Sequence, residues 1–179
     1  SKPIYFWNDE SNKKYLNAYF QKYENIWHHG DYCEKTINDG YIIYGRSDAT
    51  LNAGGVRIGT SEIYRVVENI DKIIECVAVE HNLYTDTEVI LFVKLNSNTS
   101  LDDILIKNIK LEIRTNLSPK HIPSKIFEVS DIPKTKSGKI VELSIKNIIN
   151  GMAIENENAL ANPDCLKEYQ SIYYLLKEN

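Results

Sequence analysis

Hydrophobic positions along the chain change period several times, and each change marks an element. Between Lys13 and Tyr23 the aromatic residues Tyr15, Tyr19, Phe20 and Tyr23 recur near helical spacing, a stripe that reads as packing surface. Asp31 to Thr36 and Tyr41 to Gly45 read as paired strands around the turn Asn38-Asp39-Gly40. Val56-Arg57-Ile58 is short and extended. The stretch Gly59-Thr60-Ser61-Glu62 then reads as a helix start, with Thr60 or Ser61 as the cap and Ile63, Val66, Val67 and Ile70 as the apolar face. Glu75 to Glu80 and Glu88 to Leu95 are strand-like runs around the polar turn Asn82 to Thr87. Asp102 opens a helix to about Asn116, which Ser118-Pro119 and Ile122-Pro123 stop. Lys125 to Val129 predicts a third strand, and Ile140 to Ile149 a helix with Gly151 beyond its end. A polar link, residues 155–163, leads to a last helix, Cys165 to Lys177, with Leu166, Tyr169, Ile172, Tyr173 and Leu176 on one face. The mixed order of strands and helices predicts an α+β fold.

Composition narrows the function classes. The 179 residues, 42% hydrophobic and 26% charged, suffice for one core. A net charge of −4 argues against a general nucleic-acid binder. No apolar run reaches the roughly 18 residues of a membrane helix. The opening SKPIYFWNDESNKK lacks a signal-peptide pattern, and an initial Ser without Met leads us to expect a piece of a longer product. Three widely separated cysteines, Cys33, Cys76 and Cys165, fit reduced thiols in the cytoplasm. Among the 21 basic residues only Arg46, Arg57, Arg65 and Arg114 are arginines; in so lysine-rich a chain, a rigid two-point fork marks a position to watch.

Two segments carry candidate chemistry. In GRSDATLNAGGVRIGTSEIYR, Gly45 to Arg65, Arg46 follows a hairpin and can reach a diol or phosphate, or can form an ion pair with Asp31 on the partner strand. Gly54-Gly55 admits a close ligand or is a plain turn. In IPKTKSGK, Ile132 to Lys139, a single lysine stands on a Gly-containing loop, able to meet an anion as a point charge or to rest in solvent. This is not a phosphate-cradling P-loop, because Ile140 rather than Ser or Thr follows the lysine and the first glycine of that motif is absent. His28 and His29 would point to opposite faces of a strand, and His81 and His121 lack spaced partners, so no side-chain metal site is expected.

These two motifs, with WHHGDY before them and ALANPD after them, resemble the adenylate-forming acyl-CoA synthetase superfamily, and within it the C-terminal part of the acetoacetate–CoA ligases. The resemblance spans nearly the whole chain. It implies a mobile C-terminal domain at 48–150, preceded by the end of a large adenylation domain at 1–47 and followed by an extension at 151–179 with a helix. The implied fold is a short hairpin plus a three-stranded mixed sheet packed with helices. Carried over residue by residue, Asp31 would hold the ribose hydroxyls of ATP, Arg46 the same nucleotide, and Asp48 would be the hinge. Gly54 and Gly55 would line the path of CoA, Arg57 would face phosphate, Arg114 would lie near the CoA nucleotide, and Lys139 would serve adenylation. The implied substrates are acetoacetate, ATP with Mg2+ and CoA, and the implied partner is the large domain. The sequence departs from many relatives at Lys136, where they carry Arg, and at Asn52, where other acyl ligases carry Lys. An acetate or propionate ligase, a carrier-loading adenylation domain and a non-catalytic binding module remain alternatives, and the chain alone is expected to be inactive.

Overall fold

The computed structural model describes residues 3–53, 55–154 and 157–177. Its centre is a three-stranded sheet of β5 (Ile73–Asn82), β6 (Thr87–Leu95) and β7 (Lys125–Glu128), with β5–β6 antiparallel and β6–β7 parallel. The apolar run of β5 is buried almost continuously, and the two-residue period of a strand divides it between two faces. Cys76, Ala78, Val89, Leu91 and Val93 pack with Ile63 and Val67 of α2 (Thr60–Val67) and with Leu105, Ile109 and Ile113 of α3 (Asp103–Asn116). Val77, Val79, Ile90 and Phe92 pack with Ile145, Ile148 and Ile149 of α4 (Glu142–Ile149) and with Leu166, Tyr169, Ile172 and Leu176 of α5 (Leu166–Lys177). Helices thus cover both faces of one mixed sheet, and the α+β class expected from the sequence holds.

Two small hairpins precede this core. β1 (Asp31–Lys35) pairs antiparallel with β2 (Tyr41–Arg46), and β3 (Leu51–Ala53) with β4 (Val56–Ile58). The first turns as predicted, with Asp39 at φ 57° and Gly40 N–H donating to Thr36 Oγ1. The strand β3 was not foreseen, because three residues are too few to show a period. α1 (Lys13–Tyr19) is shorter than the aromatic stripe. No residue of it is buried; instead the rings of Phe6, Tyr15, Tyr19, Phe20 and Trp27 pack on one another.

Three local readings are corrected. Neither Thr60 nor Ser61 caps α2. The cap position is Gly59, whose N–H donates to Glu62 Oε2, while Ser61 Oγ donates to Tyr44 O. A Cβ on Gly59 would lie 2.5 Å from both Tyr44 Cβ and Tyr44 O, so only glycine lets α2 start this close to β2. Ile70 lies beyond the end of α2 yet still packs on the core. The polar link at 155–163, whose first two residues lie outside the described ones, contains a 3-10 turn at Glu157–Ala159 and a buried Leu160.

Candidate functional site

The first cluster of predicted residues forms where β2 ends. A cleft of about 690 Å3 is lined by Tyr19, Trp27, His28, His29, Gly30, Arg46, Ser47 and Asp48, among others. Gly30, at φ 89°, lets the Arg46 guanidinium lie over the backbone, where a Cβ would come 3.1 Å from its NH2 nitrogen. Ser47 ties the two walls together, its N–H and Oγ both donating to Gly30 O at 2.8 and 3.0 Å. Arg46 does not pair with Asp31, although the two are opposite one another across β1 and β2. Its fork takes Asp48, Nε to Oδ1 and NH2 to Oδ2, each at 3.2 Å. Asp31 instead meets His29 Nδ1. Burial pushes the Asp48 carboxyl up, but the Arg46 hydrogen bonds and charge outweigh it and hold the pKa below the usual range. Asp48 in turn raises that of Arg46.

The Gly-Arg portion lies on the turn between β3 and β4. Gly54 lies outside the described residues. Gly55 has φ 79° and open space where a Cβ would stand. Arg57 on β4 and Arg114 in the last turn of α3 are exposed, and neither guanidinium has a hydrogen-bond or ion-pair partner among the described residues. An exposed, unpaired fork is chemically available to phosphate.

Lys139 sits on a separate, well-built loop. Thr135 N–H donates to Lys139 O at 2.8 Å, Gly138 N–H to Thr135 O at 2.8 Å, and Lys139 N–H to Thr135 Oγ1 at 3.1 Å. Gly138 takes φ 82°, the left-handed conformation that closes the turn. The Lys139 ammonium is exposed and has no partner among the described residues. Lys94, Lys134 and Lys146, by contrast, are each paired with a carboxylate at 2.6–2.8 Å. The backbone of Lys139 is therefore rigid while its charge is free.

Sequence reasoning missed what supports these residues. Glu142, three positions after Lys139, accepts a hydrogen bond from the Tyr64 hydroxyl of α2. Burial pushes the Glu142 carboxyl above its usual range, against the hydrogen bonds from Tyr64 and Thr60. Asn162 braces the stem of the Lys139 loop from the tail. No local pattern shows either contact, since the partners lie 78 and 28 residues apart. Among the described residues no group of three or more His, Cys, Asp and Glu is placed to hold a metal ion, and no helix is long and apolar enough to cross a membrane. All three cysteines are unbridged.

Residues 62–139 match the family model of the AMP-binding enzyme C-terminal domain. The chain is 49% identical over 166 residues to an acetoacetyl-coenzyme A synthetase of Rhizobium meliloti (strain 1021), covering 93% of this chain and 26% of that protein. It is 45% identical over 172 residues to an acetoacetyl-CoA synthetase of Macaca fascicularis, covering 95% of this chain and 26% of the other. The solved structure of an acetoacetyl-CoA synthetase from Streptomyces lividans superposes with a TM-score of 0.88 at 37% identity, over 96% of this chain and 26% of that one. The chain thus spans about a quarter, 26%, of the length of these relatives.

Proposed function

From the match to the AMP-binding enzyme C-terminal domain and the likeness to acetoacetyl-CoA synthetases, we propose that this chain is the moving C-terminal end of an ATP-dependent acetoacetate–CoA ligase of the cytoplasm, an adenylate-forming acyl-CoA synthetase. Residues 1–47 close a large adenylation domain, 48–150 form the mobile domain, and 151–179 are its extension. In the first half-reaction a carboxylate oxygen of acetoacetate attacks the α-phosphorus of MgATP. The bond from the α-phosphorus to the bridging oxygen breaks, and pyrophosphate leaves. Asp31 holds the ribose hydroxyls and Arg46 the nucleotide. Lys139 meets the charge that builds on the α-phosphoryl oxygens. The domain then turns at Asp48, withdrawing Lys139 and bringing in Gly54, Gly55 and Arg57. The CoA thiolate attacks the acyl carbonyl, the bond from the acyl carbon to the adenylate oxygen breaks, and AMP leaves. Gly54 and Gly55 flank the pantetheine, Arg57 faces phosphate, and Arg114 lies toward the CoA nucleotide. One small domain presenting two faces in turn accounts for two motifs so far apart in sequence.

The observation that carries this reading is Lys139, a free ammonium on a loop closed by three hydrogen bonds to Thr135. A preorganised donor is worth most where charge develops in the transition state. The test is ATP–pyrophosphate exchange by the complete ligase over short acids. We expect Lys139→Ala to lose about 100- to 1000-fold in exchange while still converting supplied acyl-adenylate and CoA to thioester. Unchanged exchange in Lys139→Ala would remove the lysine from its role, and faster turnover of acetate than of acetoacetate would overturn the substrate.

A further inference from the structure

The segment Ala159–Asn162 has no part in the proposed chemistry, yet it is bonded to the stem of the Lys139 loop. Lys136 N–H donates to Ala159 O at 3.3 Å, Ala161 N–H donates to Lys134 O at 2.8 Å, and Thr135 stands antiparallel to Leu160. On its other side the same stem pairs with the return of the loop, Lys134 opposite Ile140. Residues 134–136 are therefore bridged on both sides, by the return of the loop and by the tail.

Asn162 completes the arrangement. Its Oδ1 accepts from Lys134 N–H at 2.9 Å, and its Nδ2 donates to Ile132 O at 2.9 Å and to Asp131 Oδ2 at 2.5 Å. The other Asp131 oxygen accepts from Lys94 Nζ at 2.7 Å. One carboxamide thus spans the backbone that leads into the loop. The tail is itself anchored. Leu160, Leu166, Tyr169 and Ile172 share a buried core with Ile132 and Ile145, and Tyr169 donates its hydroxyl to Asp131 O at 3.1 Å.

We propose that residues 159–162 act as a strap across the stem that holds the Lys139 loop in place for adenylation, with Asn162 as its positioning residue. A stem held by a single bridge is marginally ordered, and further hydrogen bonds from a segment packed on the core add to its order. Small displacements of a catalytic group are costly, so a brace on the loop acts on the half-reaction that uses Lys139. Thioester formation, in which Lys139 has withdrawn, does not depend on it. This rests on the assignment of Lys139 to adenylation, and the test separates the two.

In the complete ligase, Asn162→Ala is expected to lower the turnover number for pyrophosphate exchange roughly 10- to 100-fold, leaving thioester formation from supplied acyl-adenylate and CoA unchanged. Ala161→Pro, which removes the N–H donated to Lys134 O and also restricts the backbone at Leu160 and at position 161, should show the same split. Ile109→Ala, in the core on the opposite face of the sheet and away from both tail and stem, controls for loss of stability and should show no split. Equal loss in both half-reactions for Asn162→Ala, or a loss no greater than that of Ile109→Ala, overturns the strap. If Lys139→Ala, run alongside, keeps its exchange activity, the parent assignment fails instead, and the strap with it.

Discussion

Residues 3–47 and residues 51–177 are built on different terms. The second region supplies every buried hydrophobic side chain among the described residues, from Leu51 to Leu176, on the two faces of one sheet. The first supplies none; its buried side chain is Asp9, which caps α1 by accepting from Lys14 and Tyr15 N–H. Ile4, Tyr5, Trp7, Ile37 and Ile43 stand exposed there, and the hairpin β1–β2 has no sheet to join. Exposed apolar residues occur in the second region too, but there they surround a closed core, whereas the first has none among the described residues. The change occurs between Arg46 and Leu51, and the Arg46–Asp48 fork lies in that gap. This supports the proposed boundary at residue 48, with a joint whose two sides are held by a polar pair that water can replace.

The contrast can be broken or sharpened by experiment. The largest effect should appear in native-state hydrogen exchange of this chain. Amides of β1 and β2 should exchange orders of magnitude faster than those of β5 and β6, since the former open locally and the latter only on global unfolding. Equal protection in both would make the chain one cooperative unit and remove the boundary. Next comes urea unfolding of two aromatic truncations. Phe92→Ala, at a side chain 0% exposed, should cost about 3–5 kcal/mol. Trp7→Ala, at one 91% exposed, should stay within about 0.5 kcal/mol.

A third experiment tests pH. Burial raises the pKa of Glu142 in the folded state, so the native chain keeps a proton that the unfolded chain has released. The stability so contributed is complete below the ordinary carboxylate pKa and is lost as pH rises through the raised value. Glu142→Gln, neutral throughout, should therefore gain on the wild type in urea midpoint as pH rises from about 4 to about 8; a gap that narrows instead would mean that Glu142 is stabilised as the anion. The smallest effect belongs to the joint. Asp48→Asn breaks a half-exposed fork and should cost this chain no more than about 1 kcal/mol by the same unfolding assay. A larger loss would place Asp48 inside a structural core rather than at a joint.

Much of this architecture is legible in the order of residues. The turn at Asn38-Asp39-Gly40, the helix stop at Ser118-Pro119 and Gly151 past the end of α4 are local events, decided by residues within a turn of one another. The order of strands and helices, and hence the fold class, follows from such events and from the period of the apolar residues. Gly59 shows the limit. Its neighbours Thr60 and Ser61 are good capping residues by type, but the approach of Tyr44 turns the Ser61 hydroxyl elsewhere and leaves the cap position to glycine.

The residues proposed to carry chemistry stand out in the chain through the resemblance of their motifs to a known family, since residue type and spacing alone leave a plain turn or a solvated lysine equally open. Their partners do not. That Arg46 forks onto Asp48 rather than Asp31, that Tyr64 reaches Glu142, and that Asn162 braces the stem of the Lys139 loop are decisions of the tertiary structure. A polar side chain takes whichever acceptor the packing brings within about 3 Å. Two of these three choices pair residues far apart in sequence, and only the closing of the core around the central sheet makes them.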